Sequence, residues 1–241
     1  MNNLIEKFKI YGPKTFFKFI FFELYNRFFM RYIKQSYSQL GEDLIIDRLL
    51  TYKKRGTYVD IGAYDPDRFS NTKRFYLKGW SGINIEPNVE NFNQFVDKRS
   101  RDINLNIGIG NTNEKLTFYS FIPDTLSTFS KTEAKLYQKQ GFRLLSKKKV
   151  PVCKLSDILQ KYLENTKIDF MSIDTEGFEM EVLKSNDWKK FRPKYICIEL
   201  SHDNMTQKEY QEKADMEKFL LKKQYIFVSS TQVNSLFKDS A

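Results

Sequence analysis

A chain of 241 residues with 41% hydrophobic and 16% aromatic residues can bury a full core, which excludes the disordered and low-complexity classes. Its two cysteines, Cys153 and Cys197, form no C-x-x-C pair, so a disulfide framework or a zinc site is not indicated. The net charge of +10 is uneven, since residues 1–34 contain seven Lys/Arg against two Glu.

Residues 1–34 are predicted to form an amphipathic helix with a wide aromatic face. Lys18, Glu23, Arg27 and Arg31 interrupt "TFFKFIFFELYNRFFMRYIKQ", so no apolar run reaches the roughly 20 residues that span a bilayer. The segment also lacks the small-residue cleavage site of a signal peptide. We therefore expect an extension, residues 1–35, ahead of a domain at residues 36–241.

The apolar face of this extension has two explanations. It packs on the domain or on a second copy of the chain, or it lies peripherally on an anionic membrane surface. Nucleic acid is a less favoured partner, because the aromatic residues are too dense for a groove that follows phosphates. Together these features predict a cytoplasmic protein, with the inner face of the membrane as an alternative location.

After residue 36, predicted strands and helices alternate along the chain. Helical spacing is found in "QLGEDLIIDRLL" (39–50), "SNTKRFYLKGW" (70–80), "NVENFNQFVDK" (88–98), "LSDILQKYL" (155–163), "GFEMEVLKS" (177–185) and "MTQKEYQEKADMEKFLLKK" (205–223). Strands are predicted in "TYVDI" (57–61), "SGINIEP" (81–87), "INLNIGIG" (103–110), "EKLTFYSF" (114–121), "KKVPVCKL" (148–155), "KIDFMSID" (167–174), "KYICIEL" (194–200), "YIFVSS" (225–230) and "VNSLF" (233–237). Residues 122–146 are the least regular part.

This alternation predicts parallel β-α-β units with right-handed crossovers. The last two strands are too close for a helical crossover, so they should form an antiparallel hairpin at one side of the sheet. The expected fold is α/β and Rossmann-like. It has a mostly parallel seven-stranded sheet with one antiparallel strand near the C-terminus, the arrangement of class I methyltransferases.

The first two strands of this fold end in acidic residues. In an open α/β sheet, ligands bind beyond the carboxyl ends of the strands. "YVDIGAYDP" ends in Asp60 and then places Gly62 and Ala63 where the chain turns and a ligand could approach. "SGINIEP" ends in Glu86, 26 residues after Asp60, and a carboxylate there can accept hydrogen bonds from a ribose diol.

These residues suit S-adenosylmethionine. Gly62 and Ala63 would lie near its methionine part, Glu86 on its ribose and Asp60 near its cationic end. A nicotinamide dinucleotide is less favoured, because its G-x-G-x-x-G fingerprint is absent from "GAYDPD". The alternative is structural, with Asp60 capping a helix and Glu86 simply solvated.

A third acidic strand end lies in "IDFMSIDTEGFEMEVLK". Asp174 ends the strand, and Glu176 and Glu179 follow at the start of a helix, where the helix dipole alone would favour acids. Three carboxylates at the end of one strand nevertheless repel one another, so a cationic or hydrogen-donating group is expected there.

The chain resembles the FkbM family of S-adenosylmethionine-dependent methyltransferases over residues 37 to about 237. The matching stretches are "YSQLGEDL" (37–44), "YVDIGAYDP" (58–66), "SNT" (70–72), "GWSGINIEP" (79–87), "STF" (127–129), "IDFMSIDTEGFEMEVLK" (168–184) and "RPKYICIEL" (192–200). Family members are largely O-methyltransferases that act on sugars in glycans, capsules or natural products. The resemblance thus implies a sugar or nucleotide-linked sugar as acceptor.

The resemblance also implies roles for individual residues. Contacts to the cofactor are implied for Asp60, Gly62, Ala63, Glu86, Asp174, Asn71 and Asn106, the last on the adenine side. Ser38 and Gln39 would fold over the cofactor as a lid. Ser172 and Thr175 stand where the family often has Lys and Val. No residue is therefore assigned the base or electrostatic role of that lysine in this chain.

Methyl transfer to a hydroxyl also requires a proton acceptor. His202, the only histidine, follows the strand "KYICIEL" on the ligand side and is the first candidate, ahead of Glu199 and Asp174. Alternatively, a divalent metal held by some of Asp174, Glu176, Glu199 and His202 would acidify the hydroxyl.

Residues 122–150 are expected to contribute to the acceptor pocket. Tyr119, Phe121 and Phe129 suit sugar rings, and the lysines of "SKKK" (146–149) suit a nucleotide diphosphate carrier. A solvated loop is the alternative.

Other classes of function also remain open. One is a cofactor-binding module without catalysis, another a membrane-associated scaffold, and a third a nucleic-acid methyltransferase, prompted by the pI near 9.3. Amino-methylating enzymes typically place Asn/Asp-Pro-Pro-aromatic after the fourth strand, where this chain has Asp174-Thr-Glu-Gly.

Overall fold

The computed structural model describes residues 35–200 and 207–241. The predicted helix of residues 1–34 and the predicted base His202 lie outside the described residues. From Ser36 onward the chain forms one compact unit.

Helices and strands alternate through the described part. The helices are α1 (Glu42–Leu49), α2 (Lys73–Leu77), α3 (Val89–Lys98), α4 (Lys131–Lys139), α5 (Leu155–Leu163), α6 (Glu179–Lys184) and α7 (Gln207–Lys222). The strands are β1 (Thr57–Ile61), β2 (Ser81–Ile85), β3 (Ile103–Leu105), β4 (Gly108–Ile109), β5 (Glu114–Ile122), β6 (Arg143–Cys153), β7 (Phe170–Ile173), β8 (Tyr195–Glu199), β9 (Tyr225–Ser230) and β10 (Asn234–Asp239). A 3-10 turn spans Asp124–Leu126.

Seven strands form the main sheet in the order β3-β2-β1-β7-β8-β10-β9. Strands β3, β2, β1, β7 and β8 pair in parallel, whereas β10 runs antiparallel to both β8 and β9. The predicted fold is therefore confirmed, including the reversed strand near the C-terminus. This order brings the carboxyl ends of β2, β1, β7 and β8 together in space.

The central strands are buried on both faces, as parallel strands covered by helices must be. On one face, Tyr58 and Phe170 pack with Ile46 of α1 and Phe75 of α2. On the other face, the aliphatic residues of the sheet pack against buried residues of three helices, which are Leu155 and Leu159 of α5, Val182 and Leu183 of α6, and Leu220 of α7.

A second sheet, in the order β4-β6-β5, lies outside the main one and corrects two expectations. The stretch "INLNIGIG" is not one strand: β3 joins the main sheet, and β4 pairs with β6. The residues described as irregular contain the start of β6, which pairs antiparallel with β5 from Ile122↔Arg143 onward. Most residues of β6 are exposed, so its sequence lacks the apolar alternation that marks a half-buried strand.

Helix α4 also lies in the region predicted to be irregular. It begins with a hydrogen bond from the backbone N–H of Glu133 to Ser130 Oγ at 3.2 Å, one half of the Ser-x-x-Glu capping box. Ala134 and Tyr137 on its inner side are buried. The capping pattern was the local sequence signal for this helix. Its few apolar residues give only a weak helical periodicity, so the sequence analysis did not predict the helix. Within the described residues, no helix has the length and apolar character needed to cross a bilayer.

Candidate functional site

A cavity of about 560 Å³ opens beyond the carboxyl ends of the central strands. Its floor lies at the ends of four strands and includes Ile61–Gly62 at the end of β1, Ile85–Glu86 at the end of β2, Asp174–Glu176 after β7, and Glu199 of β8. Its roof is the segment 124–142, which contains the 3-10 turn and α4. The volume lies in the range of small-molecule and cofactor sites, and the position is where α/β sheets bind ligands.

Gly62, directly after β1, lies against the backbone at the end of the neighbouring strand β7. Its φ of +75° is in the left-handed region, and an added Cβ would lie 1.7 Å from the carbonyl oxygen of Asp174. Its N–H donates to the carbonyl of Ile85 at 3.0 Å. The sequence predicted a glycine that clears space for a ligand. In the structure the close neighbour is the backbone of Asp174, although Gly62 also lines the cavity.

Glu86 holds a buried carboxylate in the cavity wall. Its Oε2 accepts the backbone N–H of Tyr64 at 2.8 Å, and its Oε1 accepts that of Asn88 at 2.7 Å. Burial raises the pKa of Glu86 to about 8, because these two bonds only partly replace the lost hydration. Each oxygen retains a lone pair, so the side chain can still accept hydrogen bonds from hydroxyl groups in the cavity.

Asp60 lies behind the cavity wall rather than in it. Its Oδ2 accepts a hydrogen bond of 2.7 Å from Thr72 Oγ1, and it is absent from the cavity lining. Burial raises the pKa of Asp60 to about 6. In this structure the side chain thus connects β1 to the start of α2.

The other predicted cofactor residues divide into two groups. Asn71 lines the cavity and donates through Nδ2 to Ser172 Oγ at 3.0 Å. Ala63 is buried and does not line the cavity. Asn106 does not line it either, since its Nδ2 donates to the carbonyls of Glu86 and Pro87 at 2.9 and 3.0 Å.

The segment before α1 is held by two buried acids. Asp43 accepts hydrogen bonds from Ser36 Oγ at 2.6 Å and Ser38 Oγ at 3.0 Å, so Ser38 is part of this support and not of the cavity lining. Glu42 accepts from the N–H of Leu40 at 2.9 Å. Gln39, between these anchored positions, lines the cavity.

Asp174, Glu176 and Glu199 form an acidic cluster in the cavity. One carboxylate oxygen from each lies within 4.8 Å of those of the other two. Burial first, and the neighbouring carboxylates second, raise the pKa of Asp174 to about 7 and raise the pKa values of Glu176 and Glu199. The interaction between these two carboxyl groups, Asp174 and Glu199, opposes the rise in the pKa of Asp174 and adds to the rise in the pKa of Glu199.

The roof is connected to this cluster through Glu176. Tyr137 Oη on α4 donates to Glu176 Oε2 at 2.9 Å, and Thr128 Oγ1 donates to the carbonyl of Glu176 at 2.8 Å. Phe129 and Phe142 add aromatic faces to the cavity lining. Tyr119 and Phe121, which the sequence assigned to an acceptor pocket, do not line the cavity.

The charge of the cavity is opposite to that of the chain. Its described lining includes six acids and no Lys or Arg: Glu86, Asp124, Glu133, Asp174, Glu176 and Glu199. Residues Lys147, Lys148 and Lys149 lie on exposed positions of β6, outside the lining. The structure therefore does not bring these lysines into the cavity, and their expected contact with a nucleotide diphosphate carrier stays a prediction.

Several lining residues carried little signal in the sequence. Asp124 and Glu133 come from the region predicted to be irregular, as does Tyr137. Asn234 was read only as part of a terminal strand, yet β10 places it beside Glu199 in register. Of these four residues, Glu133 and Tyr137 lie on α4, and only the capping pattern at Ser130 could have identified that helix from the sequence.

Residues 60–227 match the family model described as the methyltransferase FkbM domain. No curated protein matches the chain. Among solved structures, one similar chain is the methyltransferase FkbM from Methylobacillus flagellatus KT, at 15% identity and a TM-score of 0.46, with 77% of this chain and 44% of that chain covered. Another is the methyltransferase domain of METTL16, at 13% identity and a TM-score of 0.42, with 82% and 65% covered. The chain thus spans less than two thirds of the length of either.

Proposed function

The chain belongs to the FkbM family of methyltransferases, and from that premise we propose that it transfers a methyl group from S-adenosylmethionine to a hydroxyl of a sugar or nucleotide-linked sugar. The observation that carries the proposal is the buried carboxylate of Glu86, held in the wall of the 560 Å³ cavity by two backbone N–H groups. A carboxylate held in this way suits the two hydroxyls of a ribose.

The residues around the cavity fit this cofactor by chemistry and by position. Glu86 would hold the ribose, and Asp174 and Gly62, which line the same cavity, would lie near the methionine part. Gln39 and Asn71 add polar side chains to the same cavity. The acidic lining favours a cationic ligand, because the sulfonium and ammonium groups offset the repulsion among the carboxylates.

When bound, the cofactor supplies an electrophilic methyl group. Its transfer to the hydroxyl oxygen gives a methyl ether, S-adenosylhomocysteine and one proton. The protein must therefore align the hydroxyl and accept the proton. Asp174 and Glu199 lie in the cavity and can accept that proton, and His202 stays a predicted base outside the described residues. Well-oriented reactants can supply about 7–11 kcal/mol of the barrier reduction.

The lining also bears on the acceptor. Phe129 and Phe142 suit the apolar faces of a sugar ring, and Glu133 and Asp124 suit its hydroxyls. A diphosphate would be repelled by six acids. We therefore propose that the sugar enters the cavity and that any nucleotide carrier stays outside, where Lys147–Lys149 on β6 are exposed.

Calorimetry with S-adenosylmethionine and S-adenosylhomocysteine, followed by transfer of a labelled methyl group to a panel of sugars and nucleotide sugars, tests the proposal. We expect Glu86→Ala to weaken cofactor binding at least tenfold. Glu90→Ala, an exposed acid on α3, is the control and should leave binding unchanged. No binding by the wild-type chain, or equal binding by Glu86→Ala, would rule the proposal out.

Cofactor binding without methyl transfer to any member of the panel would favour the non-catalytic alternative. A shift of DNA or RNA with steep salt dependence would favour the nucleic-acid alternative. No residue of the described cavity lining specifically favours the non-catalytic binding module or the nucleic-acid methyltransferase.

A further inference from the structure

The acidic cluster of Asp174, Glu176 and Glu199 has an arrangement that a positive partner would stabilise. Three carboxylates with oxygens within 4.8 Å of one another repel strongly in a partly buried site. Glu176 also adopts a φ of +52°, an uncommon value for a residue with a side chain. The hydrogen bonds from Tyr137 and Thr128 hold it there. The chain thus maintains the cluster despite its repulsion.

Asn234 provides a second and independent observation. It is only 3% exposed and lines the same cavity, and its Oδ1 has no hydrogen-bond partner among the residues that the structure describes. Its Nδ2 donates to Glu42 Oε1 at 3.1 Å, and an ionised carboxylate can only accept. The amide therefore cannot be flipped to satisfy the oxygen without losing the bond to Glu42.

The sheet places this oxygen next to the cluster. Asn234 on β10 pairs directly with Glu199 on β8 in antiparallel register. Directly paired residues project their side chains from the same face, with Cβ atoms about 4.5–5.5 Å apart. An acceptor without a described partner therefore belongs to the residue paired directly with Glu199, and all four residues line the same cavity.

We propose that Asp174, Glu176, Glu199 and Asn234 bind one divalent cation of the kind that prefers oxygen ligands, such as Mg²⁺, Mn²⁺ or Ca²⁺. Oxygens bound at about 2.0–2.6 Å to one ion lie within about 5 Å of each other, which matches the 4.8 Å limit of the cluster. Carboxylate and amide oxygens are the ligands that these ions prefer. Tyr137 orients Glu176 by its bond to Oε2 and leaves Oε1 available.

Cation binding itself does not depend on the proposed methyl transfer, but its use there rests on that proposed function. A divalent ion in contact with the acceptor oxygen would lower the pKa of the hydroxyl and orient it. A bound cation could then supply the positive charge of the lysine that the family often has in the stretch where this chain has Ser172 and Thr175.

The test uses the full chain, stripped of metal with a chelator that is then removed. Mn²⁺ is titrated by calorimetry and by the loss of its free electron paramagnetic resonance signal. We expect one site per chain, and at least tenfold weaker binding in Glu176→Gln and in Asn234→Leu. Glu176→Gln keeps an acceptor for Tyr137 and removes the charge. Asp124→Asn is the matched control, an acid of the same cavity outside the cluster, and it should bind Mn²⁺ like the wild type.

Circular dichroism and thermal unfolding of each variant show whether it is folded, and a second substitution, Glu199→Gln, serves if one is not. No Mn²⁺, Mg²⁺ or Ca²⁺ binding by the wild type at millimolar concentration would overturn the proposal. Equal binding by wild type, Glu176→Gln and Glu199→Gln would also overturn it.

The amine alternative is tested with methylammonium. If methylammonium binds in a Glu176-dependent way and divalent ions do not bind, the cluster binds an amine and the cation proposal is overturned. S-adenosylmethionine calorimetry on the stripped chain is scored separately, so failure of the cofactor proposal and failure of the cation proposal are distinguishable.

Discussion

Gly62 lies so close to Asp174 that a single methyl group could not fit between them. The Cβ of any other residue at position 62 would come within 1.7 Å of the Asp174 carbonyl oxygen. The contact lies between the ends of β1 and β7, which are two of the strands whose carboxyl ends form the cavity floor. Its geometry therefore links the packing of the sheet directly to the shape of the site.

Gly62→Ala should accordingly destabilise the fold and weaken cofactor binding together. We expect a loss of at least about 2–3 kcal/mol in unfolding free energy, from the overlap and the φ of +75°. Gly79→Ala is the matched control, because Gly79 has a φ of +88° and no atom of the described residues lies within 4 Å of an added Cβ. That variant should lose only about 1 kcal/mol. Equal losses in urea unfolding would show that the contact with Asp174 has no effect.

The buried acids predict that stability decreases as pH rises above the acidic range. Folding raises the pKa of Asp60 from 3.8 to about 6 and that of Glu86 from 4.5 to about 8. The folded state therefore holds more protons than the unfolded state between these values. Each group then lowers stability by up to about 1.4 kcal/mol per pH unit within its window. The thermal midpoint without ligands should fall between pH 5 and 8.

Asp60→Asn tests this assignment, because asparagine still accepts the hydrogen bond from Thr72 and cannot ionise. The decrease between pH 4 and 6 should become smaller in this variant. Asp67→Asn is the control: Asp67 is bonded to Lys73 and Lys98, which lower its pKa, so its loss should not change the slope above pH 5. A midpoint that rises steadily from pH 5 to 8 in the wild type would contradict the prediction.

His202→Ala tests the predicted base, which lies outside the described residues. If His202 removes the hydroxyl proton, turnover should fall by about 10²–10⁴-fold with little change in cofactor affinity. Labelled methyl transfer and calorimetry measure the two quantities on the same preparation. Equal losses in both, or no loss in either, would remove His202 from this role and leave Asp174 and Glu199.

Removal of residues 1–34 tests the predicted amphipathic extension. We propose that this segment contacts an anionic membrane surface, with packing on the domain or on a second copy of the chain as the alternatives. Flotation with vesicles containing phosphatidylserine should retain the full chain and lose the shortened one, with neutral vesicles as the control. If both forms behave alike, light scattering shows whether the segment instead changes the oligomeric state.

The sequence by itself determined the alternation of strands and helices and the acidic strand ends. Buried parallel strands require continuous apolar runs, and "TYVDI", "SGINI" and "KYICIE" show them with acids where each run stops. Because these runs are local, Glu86 and Asp174 could be placed at the correct edge of the sheet. Crossover rules predicted parallel pairing and a reversed strand near the C-terminus, whereas the order of the strands is known only from the structure.

Only the tertiary structure decided which side chains face the cavity. Asp60 and Glu86 look alike as strand-end acids, yet the first bonds to Thr72 behind the wall and the second lines it. Tyr137 of α4 bonds to Glu176, and Asn234 of β10 pairs with Glu199, although both elements are distant from these acids along the chain. No local pattern encodes such approaches, because they depend on how the roof and the reversed strand pack against the completed sheet.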